Sequence, residues 1–407
     1  MSQFTNWNIP LLVMCLILIQ GCGSAPTRLD AVPSTLTSQA DIPGMPGVRY
    51  VGGGDMTELF KVGVEGLRRE QESLADRGQK GALPPLNYLA ISGGGDNGAF
   101  SAGLLNAWTA KGDRPEFKLV TGISTGALIA PFAFLGSKYD ATLKEIYTTI
   151  SPKDVIEPRT FLSGIFGDAM ADNAPLWRLT RKWVDEEFLK EVAAEYADGR
   201  FLLVATADMD ASRAIIWDMG RIASYGGPEA LQLFVSVMMA SASIPAGFPP
   251  VMIDVEAGGQ RYQEMHVDGG IMAQIFAYPS GISAQQMNAA TGMQRDRSLY
   301  VIRNARLDPD WAQVERRTMS IAGRALAALI HSQGIGDLYR IYATAERDGV
   351  DFNLAFIPAN FNATHPEEFD NAYMRALYQT GYDTMLKGFP WLTVPPGFRD
   401  DSVAASK

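Results

Sequence analysis

The turn at residues 122–126 constrains the fold of this 407-residue chain more than any other feature. Gly122 and Gly126 flank Ser124 in a G-x-S-x-G pattern. Residues 117–121 before it have the composition of a short buried strand, and residues 127–135 after it that of an apolar helix. A strand that turns sharply into a helix needs glycines where the two elements approach, and it leaves the serine hydroxyl exposed. The pattern predicts a strained turn that presents Ser124 as a nucleophile.

A glycine-rich loop lies about 30 residues upstream. It follows a predicted central strand at 86–92, precedes a predicted helix at 99–108, and contains Gly93, Gly94, Gly95 and Gly98. Consecutive glycines at a helix N-terminus can turn several N–H groups toward one point, which suits a nucleotide phosphate or the oxyanion of an acyl intermediate. No Lys-Ser or Lys-Thr pair closes the loop, and no acidic residue stands where a dinucleotide fold requires one. The oxyanion interpretation is therefore favoured over the phosphate site and over a turn without chemistry.

A third element is Asp268, which closes the predicted strand 262–267 and is followed by Gly269 and Gly270. An aspartate at a strand end can project into a cleft while the two glycines reverse the chain. Alone, Asp-Gly-Gly is an ordinary turn. It gains significance from its combination with Ser124 and the glycine loop.

The base that would activate Ser124 is predicted to be a carboxylate. The chain has three histidines, His266, His331 and His365. Either of the last two could complete a serine–acid–histidine triad in chain order, but neither has distinctive surroundings. A Ser–Asp dyad remains, in which a buried cleft raises the pKa of Asp268 and makes it a better base. His266 lies two residues before Asp268 on the same strand face, so it either tunes that carboxylate or is structural, packed at the cleft rim or hydrogen-bonded to the backbone.

These motifs resemble those of the patatin-like phospholipases. The family pattern is a glycine-rich loop, a G-x-S-x-G elbow and a terminal Asp-Gly-Gly, and all three occur here in that order. A fourth block at 239–251 is similar to the family segment A-S-x-x-x-P-x-x-F-P-P. The resemblance covers about residues 86–275. Asn97 stands where many members carry Arg or Lys.

The resemblance implies a fold, an activity and a set of site residues. The expected fold is a three-layer α/β architecture with a mostly parallel sheet and helices on both faces. Ser124 would be the nucleophile and Asp268 the base of a lipid acyl hydrolase. Gly93, Gly94, Gly95 and Gly98 would form the oxyanion hole, with the amides of Gly94 and Gly95 as donors. A non-catalytic, membrane-tethered protein that keeps the fold is the alternative.

Spacing along the rest of the chain fits one large region at 49–395. Further strands are predicted at 201–207, 214–219, 298–303 and 351–357, with a helical run at 316–332. A mainly helical insertion at 151–200 is predicted to pack on the sheet edge, with a lid or membrane-docking role as the alternative. Residues 396–407 form a polar tail.

The N-terminus predicts the compartment. Residues 11–19 form an apolar run of signal-peptide length, and residues 1–21 are predicted to be a lipoprotein-type signal peptide. Cys22 would then be the lipidated first residue, which would hold the protein on the membrane through a flexible tether at 22–48. Gly23 follows it rather than Asp, which by analogy suggests an outer-membrane lipoprotein of a bacterial envelope.

Charge and composition exclude several classes of partner. The net charge of −10 argues against nucleic acid and against electrostatic docking of the protein as a whole on anionic lipid. The chain shows no Cys/His pattern of a zinc site, so no metal and no cofactor are predicted. The expected partners are a lipid or acyl-ester substrate and a membrane; the oligomeric state is left open.

Overall fold

The structure is a computed structural model that describes residues 28–78, 83–158, 168–309 and 311–398. The signal-peptide prediction, Cys22, the first part of the tether and the end of the polar tail lie outside the described residues. Within them, no helix is both long and apolar enough to span a bilayer.

A central sheet organises the described part of the chain. Its order is β1-β7-β6-β3-β2-β10-β11, with the β8–β9 hairpin attached to β6. The strands β2, β3, β6, β10 and β11 run parallel to their neighbours in this set, and the antiparallel strands gather at the β6 side. The bounds are β1 (Arg49–Val51), β2 (Leu86–Ile91), β3 (Leu119–Gly122), β6 (Phe201–Asp208), β7 (Arg213–Asp218), β8 (Val251–Ala257), β9 (Gln260–Asp268), β10 (Arg297–Arg303) and β11 (Asp351–Phe356); β4 (Glu157–Pro158) and β5 (Ala171–Asp172) form a separate pair.

The register along β6 explains how distant motifs meet. The first half of β6 pairs with β3, whose last residue, Gly122, lies opposite Val204. Two residues further along β6, Thr206 pairs with Asp268 of β9. Strand β9 therefore takes the position that β3 vacates when the chain turns at Ser124. This exchange brings Asp268 to the end of the sheet where the serine emerges.

Helices cover both faces of the sheet. One face packs against α2, α3, α7, α9 and α12 through the main apolar core, and the other against α1 and the second half of α11. The bounds are α1 (Thr57–Asp76), α2 (Gly98–Lys111), α3 (Thr125–Leu135), α4 (Asp140–Thr149), α5 (Pro152–Val155), α6 (Ala174–Trp183), α7 (Glu186–Ala197), α8 (Met219–Tyr225), α9 (Gly227–Ser241), α10 (Ala284–Thr291), α11 (Thr318–Asp348) and α12 (Asn371–Leu386). The predicted three-layer class with a mostly parallel sheet is confirmed.

Two features were only partly predicted. The strand expected at 214–219 exists as β7 but runs antiparallel to β6, and β1 and β8 were not predicted. In the described part of the helical insertion, Phe188 and Val192 of α7 are buried in the main core. Helix α7 is therefore part of a packed layer, because its apolar side has found a partner.

Candidate active site

Ser124 occupies a strained turn between β3 and α3. Its φ of 56° and ψ of −128° fall where non-glycine residues are rare, so the turn holds stored strain. A Cβ on Gly122 would lie 2.3 Å from the carbonyl oxygen of Gly126, and one on Gly126 would lie 2.3 Å from that of Ile91. Glycine is required at both positions because the strands and the helix leave no room. The predicted elbow geometry is present.

Asp268 lies beside Ser124, whose hydroxyl is close enough to stabilise the carboxylate and lower its pKa. The N–H of Gly270 donates to Asp268 Oδ1 at 2.7 Å from the short turn Gly269–Ile271. Burial raises the pKa of Asp268 to about 6, and the hydrogen bonds from Ser124 and Gly270 only partly oppose the shift. Among the described residues, no cation forms an ion pair with this carboxylate. The group is therefore a base poised near neutral pH.

Ser241, at the end of α9, holds the backbone of Ser124 in place. The N–H of Ser124 donates to Ser241 Oγ at 3.0 Å, and the Ser241 hydroxyl donates to the carbonyl oxygen of Ala205 at 2.7 Å. Ala205 lies on β6, one residue before the position that pairs with Asp268. A single buried hydroxyl thus ties the turn to the strand that positions the acid. The fourth sequence block contained Ser241, although its role was not predicted.

The glycine loop lies next to Ser124, and its backbone N–H groups differ in whether they already have a hydrogen-bond acceptor. A Cβ on Gly93 would lie 3.1 Å from Ser124 Cβ. The Gly93 N–H donates to the carbonyl oxygen of Gln274 at 3.0 Å, and the Gly98 N–H bonds to carbonyls within the short turn Gly95–Asn97. Among the described residues, the N–H groups of Gly94 and Gly95 have no acceptor. They are the two amides free to bind an oxyanion, as expected for the first residues of a helical turn.

Asn304 fixes this loop from the neighbouring strand. It is fully buried just after β10, donates from its N–H to Ser92 Oγ at 2.8 Å, and donates from its side-chain amide to the Ser92 carbonyl at 3.0 Å. A Cβ on Gly94, whose φ is 150°, would lie 2.4 Å from the Asn304 carbonyl oxygen. The loop is thus held against β10 at a contact that only glycine permits. The contacts of Asn304 with Ser92 and with Gly94 were not predicted, because they depend on the order of the strands in the sheet.

His266 belongs to a buried network rather than to the dyad. Its Nδ1 is 2.9 Å from Thr206 Oγ1, and its Nε2 is 3.0 Å from Glu264 Oε2. Glu264 also pairs with Arg49, at 2.7 Å. The ring is fully buried. It is neither at a cleft rim nor hydrogen-bonded to Asp268, so both sequence interpretations of His266 miss its side-chain partners.

His365 contacts the glycine loop instead of the catalytic pair. Its Nε2 lies 2.7 Å from Asp96 Oδ2, and its ring stacks on Tyr373 with centroids 4.0 Å apart. Tyr373 in turn donates to Asn97 Oδ1 at 2.6 Å. Asp96, His365 and Glu368 together form one group with the composition of a metal site in the described part of the chain. Since Asp96 already accepts from His365 and from the Phe369 N–H, we assign this group to anchoring the loop.

Comparison with known proteins finds a matching family model. Residues 89–279 match the family model "Patatin-like phospholipase", a range that includes all four sequence blocks. The chain therefore contains a patatin-like phospholipase domain, which supports a lipid hydrolase activity in general.

Solved structures with a similar fold come from two bacteria. The chain is 12% identical to VipD from Legionella pneumophila, with a TM-score of 0.38 over 75% of this chain and 67% of that one. It is 14% identical to ExoU from Pseudomonas aeruginosa, solved with SpcU, with a TM-score of 0.35 over 75% of this chain and 53% of that one. No curated protein matches. The assignment rests on the family match and on the geometry above, since likenesses this weak carry no functional inference.

Proposed function

We propose that this protein is a serine acyl hydrolase that cleaves lipid acyl esters, as a phospholipase A or lysophospholipase does, through the dyad Ser124–Asp268. The observation that carries the proposal is a strained, buried serine next to a buried carboxylate that has a raised pKa and no ion-pair partner among the described residues. A purely structural carboxylate would be paired with a cation or with several donors. Here burial without a cation makes the group a proton acceptor.

The geometry supports a two-step reaction. Ser124 Oγ attacks the ester carbonyl carbon while its proton passes to Asp268, and the developing oxyanion accepts from the N–H groups of Gly94 and Gly95. Collapse of this intermediate breaks the bond to the alcohol, which leaves with the proton from Asp268. Asp268 then takes a proton from water, which attacks the acyl-enzyme, and Ser124 leaves reprotonated with release of the carboxylic acid.

Space for an acyl chain is available beside the dyad. A cleft of about 340 Å³ is lined by Ile123 and Gly269, the sequence neighbours of the two dyad residues, and by Met272, Ala273 and Phe276. Largely apolar walls favour a hydrocarbon chain over a polar acyl group.

A fluorophosphonate probe tests the proposal. The wild-type chain should label at Ser124 and hydrolyse p-nitrophenyl acyl esters, and Ser124→Ala should lose both, with turnover reduced ~10⁴-fold or more. Ser224→Ala is a matched control, because that hydroxyl bonds only to its own helix at the Gly220 carbonyl. A folded wild-type protein that neither labels nor turns over would support the non-catalytic, membrane-tethered alternative instead.

We further propose that Cys22 is lipidated and holds the protein at a bacterial outer membrane. The support is the sequence alone: the apolar run at 11–19 followed by a cysteine and a Ser/Thr/Pro/Gly-rich tether. Metabolic labelling with palmitate in a bacterial host should mark the wild type and not Cys22→Ser. Equal labelling of both proteins would exclude this anchor.

A further inference from the structure

The two halves of α11 have different environments. The second half is packed, with Leu338, Ile341 and Ala345 buried against β10 and β11. The first half and the residues before it are exposed, although the side chains are apolar. Met319 is 82% exposed, Leu326 53% and Leu329 68%; Trp311, just upstream, is 87% exposed. Such a run of exposed large apolar side chains marks an interaction surface.

These side chains form a face. Met319, Leu326 and Ile330 are seven and four residues apart, which places them on one side of a helix, and Leu329 adjoins them. The same periodicity places Arg324 on the opposite side. A helix with an exposed apolar face, arginines just before its first residue and a nearby tryptophan has the composition of a segment that lies in the surface of a bilayer.

The charge of this segment differs from that of the whole protein. Residues 311–333 contain three arginines and one glutamate, whereas the chain carries a net charge of −10. Arg316 and Arg317 stand at the start of the helix and are exposed. A positive segment on an acidic protein directs this face, rather than the rest of the surface, toward an anionic one.

The face is continuous with the active site through a short series of contacts. Ser124 packs against Gly93, whose N–H donates to the Gln274 carbonyl. The Gln274 side chain donates to Gln333 Oε1 at 3.3 Å, and Gln333 donates to the Ile271 carbonyl at 3.2 Å. Gln333 lies on α11 one turn after Ile330. Ile271, three residues after Asp268, is exposed, as is Ile244, whose neighbour Ser243 accepts from the Asp268 N–H at 2.9 Å; both extend the apolar surface.

We propose that the first half of α11 is an interfacial docking surface for an anionic phospholipid bilayer, which places the opening beside Ser124 against the lipid. The proposal rests on the function proposed above, because it assigns the substrate to a membrane surface rather than to free monomers. In this arrangement Met319, Leu326, Leu329 and Ile330 enter the acyl region, while Arg316 and Arg317 contact phosphate groups.

The test separates docking from catalysis. The double variant Leu326→Glu/Leu329→Glu retains helix propensity but places charge on the apolar face. Leu386→Glu, at the exposed end of α12, is the matched control. Each full-length chain is sedimented with vesicles of equal phosphatidylethanolamine and phosphatidylglycerol, with Ser124→Ala added to prevent hydrolysis. The N-terminal segment contributes equally to every variant.

The expected result is a loss of vesicle binding and of vesicle phospholipid hydrolysis by about tenfold or more in the double variant, since burying one leucine is worth at least that factor. Hydrolysis of water-soluble p-nitrophenyl butyrate should stay within about twofold, because the dyad is untouched. Arg316→Glu should weaken binding to anionic vesicles by about fivefold for each unit of charge that it changes. Binding to vesicles without anionic lipid should stay the same.

Three results would overturn or separate the proposals. Unchanged vesicle binding and hydrolysis in the double variant would overturn the docking surface. So would a wild-type dimer that the double variant converts to a monomer without any vesicle binding, because the face would then join two copies of the chain. Vesicle binding that depends on Leu326 and Leu329 in a protein unable to cleave the soluble ester would preserve the surface and reject the enzymatic proposal.

Discussion

Two buried carboxylates, Glu264 and Asp268, lie four residues apart on the same face of β9, and their pKa values are shifted in opposite directions. Glu264 is pushed toward a higher pKa by burial, but the hydrogen bond from His266 and the charge of Arg49 outweigh burial and keep its pKa below the ordinary value. Asp268 is similarly buried and has no ion-pair partner among the described residues, so its pKa rises to about 6. The difference shows that burial raises the pKa of a carboxylate only where hydrogen bonds and nearby positive charges do not outweigh it.

The largest expected difference between the two carboxylates is in turnover. Asp268→Asn should lower kcat about 10²–10⁴-fold, the contribution of a general base, while leaving the Gly270 hydrogen bond to the side-chain oxygen possible. Glu264→Gln should keep kcat within a few-fold when corrected for folded protein. Steady-state kinetics on a p-nitrophenyl ester measures both. Comparable losses in the two folded variants would mean that the network around Glu264 takes part in proton transfer.

The free energy of unfolding should show the reverse order: Glu264→Gln should lower it, and Asp268→Asn should not. Glu264→Gln leaves Arg49 buried without a balancing charge and should cost about 3–5 kcal/mol in the free energy of unfolding at pH 7. The folded-state pKa of Glu264 is lowered, so its stabilising contribution is present above the unfolded pKa and is lost as pH falls through the folded value. Urea denaturation at pH 7 checks the loss. A change below about 1 kcal/mol would show that the attraction between Arg49 and Glu264 is offset by the cost of removing both charges from water.

Asp268→Asn should instead stabilise the protein at pH 8. The folded-state pKa is raised from 3.8 to about 6, so above pH 6 the folded protein carries an unfavourably buried charge that asparagine lacks. About two pKa units correspond to a gain of about 3 kcal/mol, and the gain should shrink as pH falls toward 4. Thermal unfolding of both proteins at pH 8 and pH 4.5 tests the sign. A variant that is less stable than wild type at both pH values would contradict the burial argument.

The sequence was sufficient for features that depend on local pattern. The elbow at Gly122–Gly126 could be predicted because a strand, a helix and two close backbone contacts leave few alternatives to glycine. The strands β2, β6, β10 and β11 followed from buried apolar runs of strand length. A helical run was predicted at 316–332, which is about the first half of α11 (Thr318–Asp348), but the sequence did not tell which half of the helix packs against the sheet.

Features that depend on register and strand order were not predicted. The pairing of Thr206 with Asp268 requires β9 to replace β3 along β6. The contact between His365 and Asp96 joins residues 269 positions apart, and sequence reasoning treated that histidine as an ordinary one. His266 bonds to Thr206 on β6 and to Glu264 on its own strand, and Glu264 in turn pairs with Arg49 of β1. In each case the chemistry of one residue is set by a neighbour that only the folded sheet supplies.

The pH dependence of turnover also distinguishes Asp268 from Glu264, with a smaller expected effect. Because the pKa of Asp268 is raised to about 6, kcat/KM should be constant above about pH 7 and should fall about tenfold per pH unit below 6. Glu264→Gln should not move this limb, since Glu264 does not contact Asp268. A wild-type limb near pH 4 would show that Asp268 is solvated in the working enzyme and that burial does not tune it.

The smallest expected effect on turnover is that of His266→Ala. The ring bonds to Thr206 and Glu264 and not to the dyad, so kcat should change by no more than a few-fold in folded protein, although the variant should unfold more easily. Thr206 still pairs with Asp268 through the backbone, which keeps the acid in place. Single-turnover acylation by a fluorophosphonate, measured on protein shown to be folded by circular dichroism, isolates the chemical step. Loss of acylation in that folded variant would mean that a histidine drives the nucleophile, and the contrast between Glu264 and Asp268 would then have to be assigned anew.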